Sequence, residues 1–340
     1  MAAEPKTSTT GVDLTVDGIT DAVNHINSTN PDPRFRYILE RLVVHLHDFA
    51  RETRLSTKEW MSALRFLESV GETCTPLRDE FVLLSDVLGL SLLVDSIDHP
   101  KPESATEGTL LGPFHTHDAE NVAHGTSISR DVEGEPLLVI CTVKDTDGKP
   151  LRGVTVDIWE TDSTGHYDTQ YANRDGPDGR AILETDVEGV FWFKAIVPVP
   201  YPIPGDGPVG RLLELLGRHN MRPGHMHFKL DKEGYEHLIT ALYVRGDPYE
   251  RSDAVFGVKS SLLIDLKQVD EELATQYQVS SGSRLLRYDF VLVTEQESAA
   301  LRQRNSNLAL ERLGRSLQLI DGLPVAIETE TEDKVGRQSV

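Results

Sequence analysis

Cysteine is almost absent from this sequence. Cys74 and Cys141 are the only two in 340 residues. Two cysteines do not make a disulfide framework or a cysteine-based zinc site, and they are typical of a protein in a reducing compartment. Residues 1–14 lack the apolar stretch of a secretory signal. No apolar run approaches the roughly 20 residues that a membrane-spanning helix needs. The sequence therefore predicts a cytoplasmic protein with no membrane span.

Basic residues are also few. Lysine and arginine number 34 against 55 aspartates and glutamates, which gives a formal net charge of -21. Proteins that bind nucleic-acid backbones need clustered lysine and arginine, so the charge balance argues against that class. It argues equally against docking on an anionic membrane surface. With 39% hydrophobic residues the chain can bury a core, and its length suits one large domain or two modest ones.

Apolar residues recur at helical spacing through roughly the first hundred residues. Two amphipathic segments cover residues 19–26 and 37–45. Ser56 and Glu59 have the spacing of a capping box in front of a third helix. Residues 78–97 contain few helix breakers and predict one further amphipathic helix. The N-terminal third is therefore predicted to be helical.

After a loop that begins near residue 100, the apolar residues alternate with a period of two from Pro136. Asp145 to Gly148 has the composition of a hairpin turn, and residues 186–189 form a second turn signal. Short strands separated by such turns are typical of an all-β sandwich. The predicted strands cover residues 137–140, 154–158, 190–193, 226–230, 239–244 and 288–293.

The predicted fold is mixed, with an all-β sandwich domain preceded by an α-helical N-terminal domain. The boundaries place the helical domain at residues 1–105 and the sandwich at residues 106–297. The remaining residues, 298–340, are predicted to contain a helix capped by Ser298 and running to about Leu319, followed by a flexible, charged tail from Glu328.

A His-x-His pattern stands within the string Arg222-Pro223-Gly224-His225-Met226-His227-Phe228. Residues two apart in a strand face the same side, so His225 and His227 can bind one metal ion together. For an isolated pattern of this kind, two surface histidines on an edge strand are the more common explanation.

Two tyrosines lie in unusual loops. Tyr201 stands among four prolines between residues 198 and 204, which make a rigid loop that can hold one side chain in place. Taken alone, Tyr201 is better explained as a packed aromatic residue with a hydrogen-bonded hydroxyl. Tyr167 and Tyr171 lie in the polar loop that follows Trp159, and loops on a β scaffold commonly carry function. Residue patterns do not choose between these last two tyrosines.

Several strings together resemble the intradiol ring-cleavage dioxygenases over roughly residues 80–293. They are Leu83-Leu84-Ser85-Asp86, Leu111-Gly112-Pro113-Phe114, Val156-Asp157-Ile158-Trp159, Gly165-His166-Tyr167-Asp168, Tyr201-Pro202-Ile203-Pro204, Asp206-Gly207-Pro208-Val209-Gly210, and Arg218-His219 leading to the string from Arg222 to Phe228. The resemblance implies a β-sandwich catalytic domain and an N-terminal helical domain that forms a homodimer.

The resemblance implies one Fe(III) per subunit, with Tyr167, Tyr201, His225 and His227 as its ligands. Two phenolates are hard anionic donors and stabilise the ferric state. By the same resemblance, Tyr201 leaves the metal and takes up a proton during turnover, and Arg222 stabilises negative charge on the substrate ring. The alternative for Arg222 is a surface salt bridge.

The resemblance also implies a substrate pocket, formed by Leu83, Asp86, Leu110, Leu111, Gly112, Pro113, Phe114, Ile203, Pro204, Arg222 and Val255. Asp86 favours hydroxyquinol (benzene-1,2,4-triol), because a carboxylate can accept a hydrogen bond from the third hydroxyl. The predicted reaction uses O2 and gives maleylacetate. The alternatives are cleavage of catechol to cis,cis-muconate and of chlorocatechols. The chain departs from many relatives at Ala241, where catechol-type members have glutamine, and at Gly224, where many have alanine.

Two other classes of protein remain as alternatives. A cupin-type site would use His225, His227 and Glu233 with iron(II) or manganese. A non-catalytic β-sandwich binding module would explain the strands alone. Neither explains the two tyrosines. In the dioxygenases, helices of two subunits can also enclose a bound phospholipid, and the candidate residues here are Leu39, Leu42, Val43, Leu46 and Phe49.

Overall fold

The structure is a computed structural model that describes residues 14–75, 78–173, 175–315 and 317–327. The chain divides into two compact units. One comprises Met1–Leu64 and Gln303–Val340, and the other comprises Arg65–Arg302. Among the described residues, no helix has the length and apolar character required to cross a bilayer.

The N-terminal segment is helical, as predicted. Helix α2 begins after Asp32, whose carboxylate accepts hydrogen bonds from the backbone N–H groups of Arg34 and Phe35 at 2.8 and 3.1 Å. Pro33 stands at the first helical position, where its missing N–H is not needed. The helices are α1 (Ile19–Asn27), α2 (Pro33–Glu52), α3 (Thr57–Thr73), α4 (Glu80–Val87), α5 (Leu90–Asp98), α6 (Pro208–Leu215), α7 (Glu271–Tyr277) and α8 (Glu295–Arg312).

The prediction of one helix over residues 78–97 is wrong, because the chain breaks into α4 and α5. The break lies at Gly89, which has a φ of +74° and therefore leaves the right-handed helical region. Asp79 caps α4 by accepting two backbone N–H bonds at 3.0 Å. An apolar pattern that runs through a single glycine does not reveal such a break.

The β strands form two main sheets and two small ones. The main sheets have the strand orders β10-β11-β1-β4 and β3-β2-β7-β8-β9, and the small ones are β5-β6 and β12-β13. The strands are β1 (Pro136–Asp145), β2 (Thr155–Trp159), β3 (Arg180–Glu184), β4 (Val190–Ile196), β5 (Tyr201–Pro202), β6 (Met221–Arg222), β7 (His225–Asp231), β8 (Leu238–Val244), β9 (Leu263–Ile264), β10 (Lys267–Gln268), β11 (Arg284–Leu292), β12 (Gln318–Ile320) and β13 (Leu323–Val325).

The two main sheets share one buried core, which confirms the predicted β-rich domain after a helical segment. Val139 and Phe193 of the first sheet belong to the same buried cluster as Ile158 and Phe228 of the second. Strand β7 lies inside the second sheet, paired antiparallel with β2 on one side and β8 on the other. Its backbone is therefore held along both edges.

All six predicted strands are present, although the role of one turn differs from the prediction. The turn at Asp145 is real, since the Gly148 N–H donates to the Asp145 carbonyl at 3.0 Å. It does not pair β1 with β2, because these two strands belong to different sheets. The turn carries the chain from one layer of the sandwich to the other.

The C-terminal helix starts and ends earlier than predicted. Helix α8 is capped by Thr294, not Ser298. The Thr294 hydroxyl accepts the Glu297 N–H, and the Glu297 carboxylate accepts the Thr294 N–H at 2.8 Å. The helix ends at Arg312. Leu319 lies in the hairpin β12-β13 instead of a helix. The predicted flexible tail, residues 328–340, lies outside the described residues.

Candidate active site

Strand β7 brings two histidines together. His225 and His227 are each 1% exposed, and their Nε2 atoms lie 3.0 Å apart. The His225 Nδ1–H donates to the Pro223 carbonyl at 2.7 Å, which leaves the lone pair on Nε2. The indole of Trp159 stacks on the His227 ring with a centroid distance of 4.7 Å and an interplanar angle of 5°. Both Nε2 atoms therefore point into one buried space.

Burial keeps both imidazoles neutral. It lowers the pKa of His225 to about 3, with a smaller contribution from the nearby Arg222 guanidinium. It also lowers the pKa of His227 well below the usual value, and the proximity of His225 adds to this effect. A neutral imidazole is the form that binds a metal ion.

Two tyrosines complete the cluster. Tyr167 is fully buried and Tyr201 is 2% exposed, with their hydroxyl oxygens 3.4 Å apart. The Tyr201 ring lies 5.5 Å from the His225 ring. Burial raises the pKa of Tyr167 well above its usual range, and the adjacent Tyr201 hydroxyl adds to this. A cation at the same place would favour the phenolate.

Arg222 connects the cluster to a buried carboxylate. Its Nη1 lies 3.3 Å from the Tyr201 hydroxyl and 3.1 Å from His225 Nε2. Its Nε donates to Asp253 Oδ1 at 3.1 Å, and its Nη2 donates to the Tyr243 hydroxyl at 3.1 Å. Arg222 is 2% exposed, so it is not the surface salt bridge that was the alternative. The ion pair keeps a positive charge beside the ligand cluster.

The donor set fits a hard metal ion. Two neutral imidazole nitrogens and two phenol oxygens face the same space, and all four side chains are buried. The cupin-type alternative fails because Glu233 is exposed in the turn after β7, whereas both histidines are buried. The structure also separates the two loop tyrosines, since Tyr171 is 47% exposed.

A second buried ion pair holds the loop of Tyr167. Arg180 Nε lies 3.0 Å from both carboxylate oxygens of Asp168. Its Nη1 donates to the Thr116 hydroxyl at 2.8 Å and to the Phe114 carbonyl at 3.2 Å. The Phe114 ring stacks on Tyr167 with centroids 4.5 Å apart. Arg180 therefore joins the loop that carries a candidate ligand to the loop that carries a candidate pocket residue.

A cleft of about 480 Å³ lies beside these two loops. Five of the predicted pocket residues line it: Leu83, Asp86, Pro113, Phe114 and Pro204. His115, Thr116, Thr169 and Gln170 also line it and were not predicted.

The remaining predicted pocket residues do not line this cleft. Leu110, Ile203 and Val255 belong to a buried apolar cluster that also includes Leu83. Leu111 is 37% exposed and does not line the cleft. Gly112 lies against His227, since a Cβ at this position would be 3.6 Å from His227 Nε2.

Asp86 has the surroundings expected of a residue that recognises a hydroxyl group. It is 7% exposed and faces the cleft. Burial raises its pKa above the usual value, opposed by a hydrogen bond with Ser91 and by the charge of Arg222. A buried carboxyl group of this kind gains from a hydrogen-bonding ligand.

The two departures from many relatives differ in their surroundings. Ala241 pairs with His227 across β7 and β8, and within the described residues His227 Nδ1 has no hydrogen-bond partner. Gly224 is more constrained, because a Cβ there would lie 2.4 Å from the Pro198 carbonyl oxygen. The glycine lets the histidine strand approach the proline-rich loop that carries Tyr201.

Asp253, Tyr243 and the Arg180–Asp168 pair were missed by sequence reasoning. The sequence held only an indirect signal for Asp253. A buried arginine requires a counter-charge, but the sequence does not say which carboxylate in the chain supplies it. Tyr243 pairs with His225 in the register of β7 and β8, so pairing these two predicted strands would have found it.

The chain matches two family models in succession. The "Catechol dioxygenase N terminus" model covers residues 32–106 and the "Dioxygenase" model covers residues 110–294. A protein of Aspergillus niger named intradiol ring-cleavage dioxygenase is 66% identical over 313 residues, which is 92% of this chain and 95% of that protein. The 6-chlorohydroxyquinol 1,2-dioxygenase of Cupriavidus pinatubonensis is 44% identical over 81% of this chain and 96% of its own length.

The fold agrees with these similarities. The crystal structure of hydroxyquinol 1,2-dioxygenase from Pseudomonas putida superposes with a TM-score of 0.78 and 38% identity, and the match covers 82% of this chain and 99% of that chain. The family models, the relatives and the architecture agree, and the chain belongs to the intradiol ring-cleavage dioxygenases, an iron-dependent family of enzymes.

Proposed function

We propose that this dioxygenase is a hydroxyquinol 1,2-dioxygenase. It would cleave benzene-1,2,4-triol between its two adjacent hydroxyl groups and place both atoms of O2 in the product, maleylacetate. The main support is that two tyrosine hydroxyls and two histidine Nε2 atoms lie together in a buried space. This space lies beside a cleft that contains a carboxyl group. The similarity to proteins named for hydroxyquinol supports the same substrate.

One Fe(III) per subunit is the proposed cofactor, with Tyr167, Tyr201, His225 and His227 as its ligands. Fe(III) held by these residues would supply the Lewis acidity that favours the deprotonated substrate and its reaction with O2. The protein contributes two phenolates, which balance part of the ferric charge, and two neutral imidazoles. Water is excluded because these side chains are at most 2% exposed.

Tyr201 is the proposed acceptor of a substrate proton. Its hydroxyl lies 3.3 Å from Arg222 Nη1, so a phenolate at this position is stabilised until it takes up the proton. Arg222 would then stabilise the negative charge that develops on the ring. Its position is maintained by Asp253 and Tyr243.

Asp86 is the proposed determinant for the third hydroxyl. It lines the cleft together with apolar residues such as Leu83 and Phe114. Catechol has no hydroxyl at that place and would leave the buried carboxyl group without this partner. Loss of one such hydrogen bond costs about 1–3 kcal/mol, or roughly 5- to 150-fold in kcat/KM.

The direct test is a comparison of substrates with the purified, iron-containing enzyme. Ring cleavage of hydroxyquinol, catechol and 4-chlorocatechol would be followed by O2 consumption, and the products identified by mass spectrometry. We expect the highest kcat/KM with hydroxyquinol, and maleylacetate as its product. A higher kcat/KM with catechol would overturn the substrate assignment. Absence of iron and of ring cleavage with all three would overturn the metal site.

A variant of Asp86 tests the specificity separately. Asp86→Leu should reduce kcat/KM for hydroxyquinol by about 5- to 150-fold, while leaving catechol cleavage within a few-fold. Asp79→Asn is the matched control. It removes a negative charge from the same cleft and retains the cap of α4, since asparagine caps helices as well as aspartate does. An equal loss for both substrates in Asp86→Leu would show that Asp86 supports the fold and not the choice of substrate.

The proposed assembly is a homodimer formed through the N-terminal helices. Helix α2 carries a stripe of apolar side chains that are about half exposed in the single chain. They are Phe35 (48%), Ile38 (43%), Leu42 (49%), Leu46 (55%) and Phe49 (54%). A stripe of this length on one helix face is typical of a surface buried against a second copy.

Light scattering after gel filtration tests the dimer. Leu42→Glu places a charge in the stripe and should convert the dimer into monomers. Glu40→Gln, also exposed on α2 but outside the stripe, should leave the dimer intact. A monomeric wild-type protein would contradict the proposal. The finer proposal of a phospholipid at this interface requires that a lipid be found by mass spectrometry of an organic extract of the dimer.

A further inference from the structure

A second cluster of metal-binding side chains lies outside the candidate active site. His99, Glu236 and His237 each offer a ligand atom, and these atoms all lie within 4.8 Å of one another. We propose that these three residues bind one divalent late first-row transition-metal ion, with zinc as the representative. This site shares no residue with the proposed iron site and does not depend on the enzyme's substrate.

His99 is oriented as a metal ligand would be. It ends α5, and its Nδ1 lies 3.1 Å from Asp95 Oδ1, one helical turn earlier. With the Nδ1–H donated to this carboxylate, the Nε2 lone pair remains available. A metal-binding histidine almost always has its other nitrogen held in this way, because the contact selects the tautomer and raises the basicity of the ring.

The opposing ligands precede strand β8. His99 Nε2 lies 3.8 Å from Glu236 Oε1, and its ring is 5.1 Å from the His237 ring at an angle of 66°. The Glu236 N–H donates to the Val293 carbonyl at 2.9 Å, which anchors the backbone of this segment. The ligands therefore come from two rigid places, the end of α5 and the start of β8.

The distance between His99 and Glu236 is close to that of a tetrahedral site. Bonds of about 2.0–2.1 Å to nitrogen and oxygen place neighbouring ligand atoms roughly 3.3–3.4 Å apart. The observed 3.8 Å between His99 Nε2 and Glu236 Oε1 needs a closure of only about half an ångström. His237 is exposed, so its ring can rotate, and solvent can supply a fourth ligand.

The ligand types select the metal. Two imidazoles and one carboxylate suit zinc, cobalt, nickel or copper, whereas magnesium and calcium prefer oxygen ligands throughout. The carboxylate of Asp98 lies 3.8 Å from His99 Nε2 and adds negative charge at the same place. The proposed metal position therefore has two histidine ligands and three carboxylates close to it, those of Asp95, Asp98 and Glu236.

Two cations face the cluster and oppose metal binding. Arg302 Nη2 lies 3.7 Å from Glu236 Oε1, and Arg302 Nε donates to the Asp98 carbonyl at 2.8 Å. Lys101 is nearby, and burial lowers its pKa below the usual value, an effect that Glu236 and Asp95 partly offset. These charges should reduce the affinity of the three ligands for a cation. A zinc ion there would join the end of α5 to the start of β8.

The experiment uses the full chain with its iron in place. The protein is incubated with zinc sulfate and passed through a desalting column, and zinc and iron are then measured by mass spectrometry. We expect about one additional zinc per chain with unchanged iron content and unchanged visible absorption. Titration with zinc should show an affinity at least about tenfold lower in His237→Ala and in Glu236→Gln, since each removes one ligand.

Two further variants test the proposal even if a substitution of a ligand residue makes the protein unstable. Asp95→Asn leaves all three ligands and should weaken zinc binding by about 10- to 100-fold, because the histidine loses its carboxylate partner. His124→Ala removes a half-buried histidine outside the cluster and should leave zinc binding unchanged. Zinc bound only in exchange for iron would overturn the proposal. So would an affinity that His237→Ala and Asp95→Asn leave at the wild-type value.

Discussion

The two histidines and the two tyrosines of the candidate iron site are held in different ways. His225 and His227 belong to a strand that is hydrogen-bonded along both edges by β2 and β8. Tyr167 and Tyr201 lie on connecting segments, the first beside a short 3₁₀ turn and the second in a two-residue strand. The histidine half depends on a continuous sheet, and the tyrosine half depends on a few side-chain contacts.

Each tyrosine is supported by its own buried ion pair. Arg222–Asp253 serves Tyr201, and Arg180–Asp168 serves the loop of Tyr167. Arg222 touches the Tyr201 hydroxyl and His225 directly. Arg180 makes its other contacts with the Phe114 carbonyl and the Thr116 hydroxyl. We infer that Arg222 takes part in the chemistry, whereas Arg180 is a positioning residue, and this difference can be tested.

The largest effect is expected from Arg222→Met. Loss of a preorganised positive charge at the reacting centre should lower kcat/KM by about 10²- to 10³-fold. The free energy of unfolding should fall by about 3–5 kcal/mol, because Asp253 is left buried without its counter-charge. Steady-state kinetics and denaturant unfolding measure the two effects separately.

A double variant separates stability from chemistry. Arg222→Met combined with Asp253→Leu replaces the whole ion pair by apolar groups, which often restores stability. We expect the free energy of unfolding to recover and the activity to remain low. Recovery of activity in the double variant would mean that Arg222 only supports the fold. The proposed difference in role between Arg222 and Arg180 would then be wrong.

A smaller, different effect is expected from Arg180→Lys. Lysine retains a positive charge for Asp168 but cannot bridge it to the Phe114 carbonyl and the Thr116 hydroxyl at the same time. Lost contacts of this kind should cost about 1–3 kcal/mol of stability. Movement of Phe114 and Tyr167 should raise KM more than it lowers kcat, and should shift the visible absorption at unchanged iron content. A loss confined to kcat, with normal KM and absorption, would contradict a positioning role.

Gly224→Ala tests the contact between the two halves. The added Cβ would lie 2.4 Å from the Pro198 carbonyl oxygen, so the histidine strand and the loop of Tyr201 must separate. Overpacking of this kind costs about 1–3 kcal/mol, measured by denaturant unfolding. Gly71→Ala is the control, because its Cβ would meet Phe81 at an ordinary 3.7 Å. A neutral Gly224→Ala would show that the two halves adjust independently.

The difference between the histidines on a strand and the tyrosines on connecting segments also explains how much of the site could be predicted from sequence. Local alternation in one strand predicted that His225 and His227 face the same side, but the pattern alone favoured surface histidines on an edge strand, and the family resemblance was needed to predict a metal-binding pair. Tyr167 and Tyr171 share a loop, and only tertiary burial separates them, at 0% and 47% exposure. Asp253 is 31 residues from Arg222 in the chain, and no local pattern connects them.

The fold shows a parallel division. Strand β7 was predicted because its apolar residues alternate and meet the shared core, and β1 was predicted from a continuous apolar run. The break between α4 and α5 was missed because Gly89 interrupts an apolar pattern that continues on both sides. The pairing of β1 with β11 and β4 was also missed, since a turn predicts a change of direction and not the sheet that the next strand joins.

The smallest effect concerns Asp162, which organises the loop of Tyr167. Its carboxylate accepts the backbone N–H groups of Thr164 and His166 at 2.9 and 3.0 Å and the hydroxyl of Tyr171. Partial burial alone would raise its pKa, but these hydrogen bonds outweigh burial and lower the pKa below the usual value. A carboxyl group whose pKa is lower in the folded state stabilises the protein above its unfolded pKa of about 4. That stabilisation is lost as the pH falls through the folded value.

Asp162→Asn removes this titration. Because the group is largely solvent-screened, we expect the variant to be less stable by only about 0.5–1 kcal/mol at neutral pH. Unfolding measured from pH 7 down to pH 3 should show the difference between the two proteins beginning to shrink below about pH 4, where the carboxyl group of the unfolded wild-type chain takes up a proton before that of the folded chain. A difference that stays constant across this range would mean that the side-chain shape of Asp162, and not its charge, organises the loop. The tyrosine half would then depend on the shapes of its side chains and not on their charges.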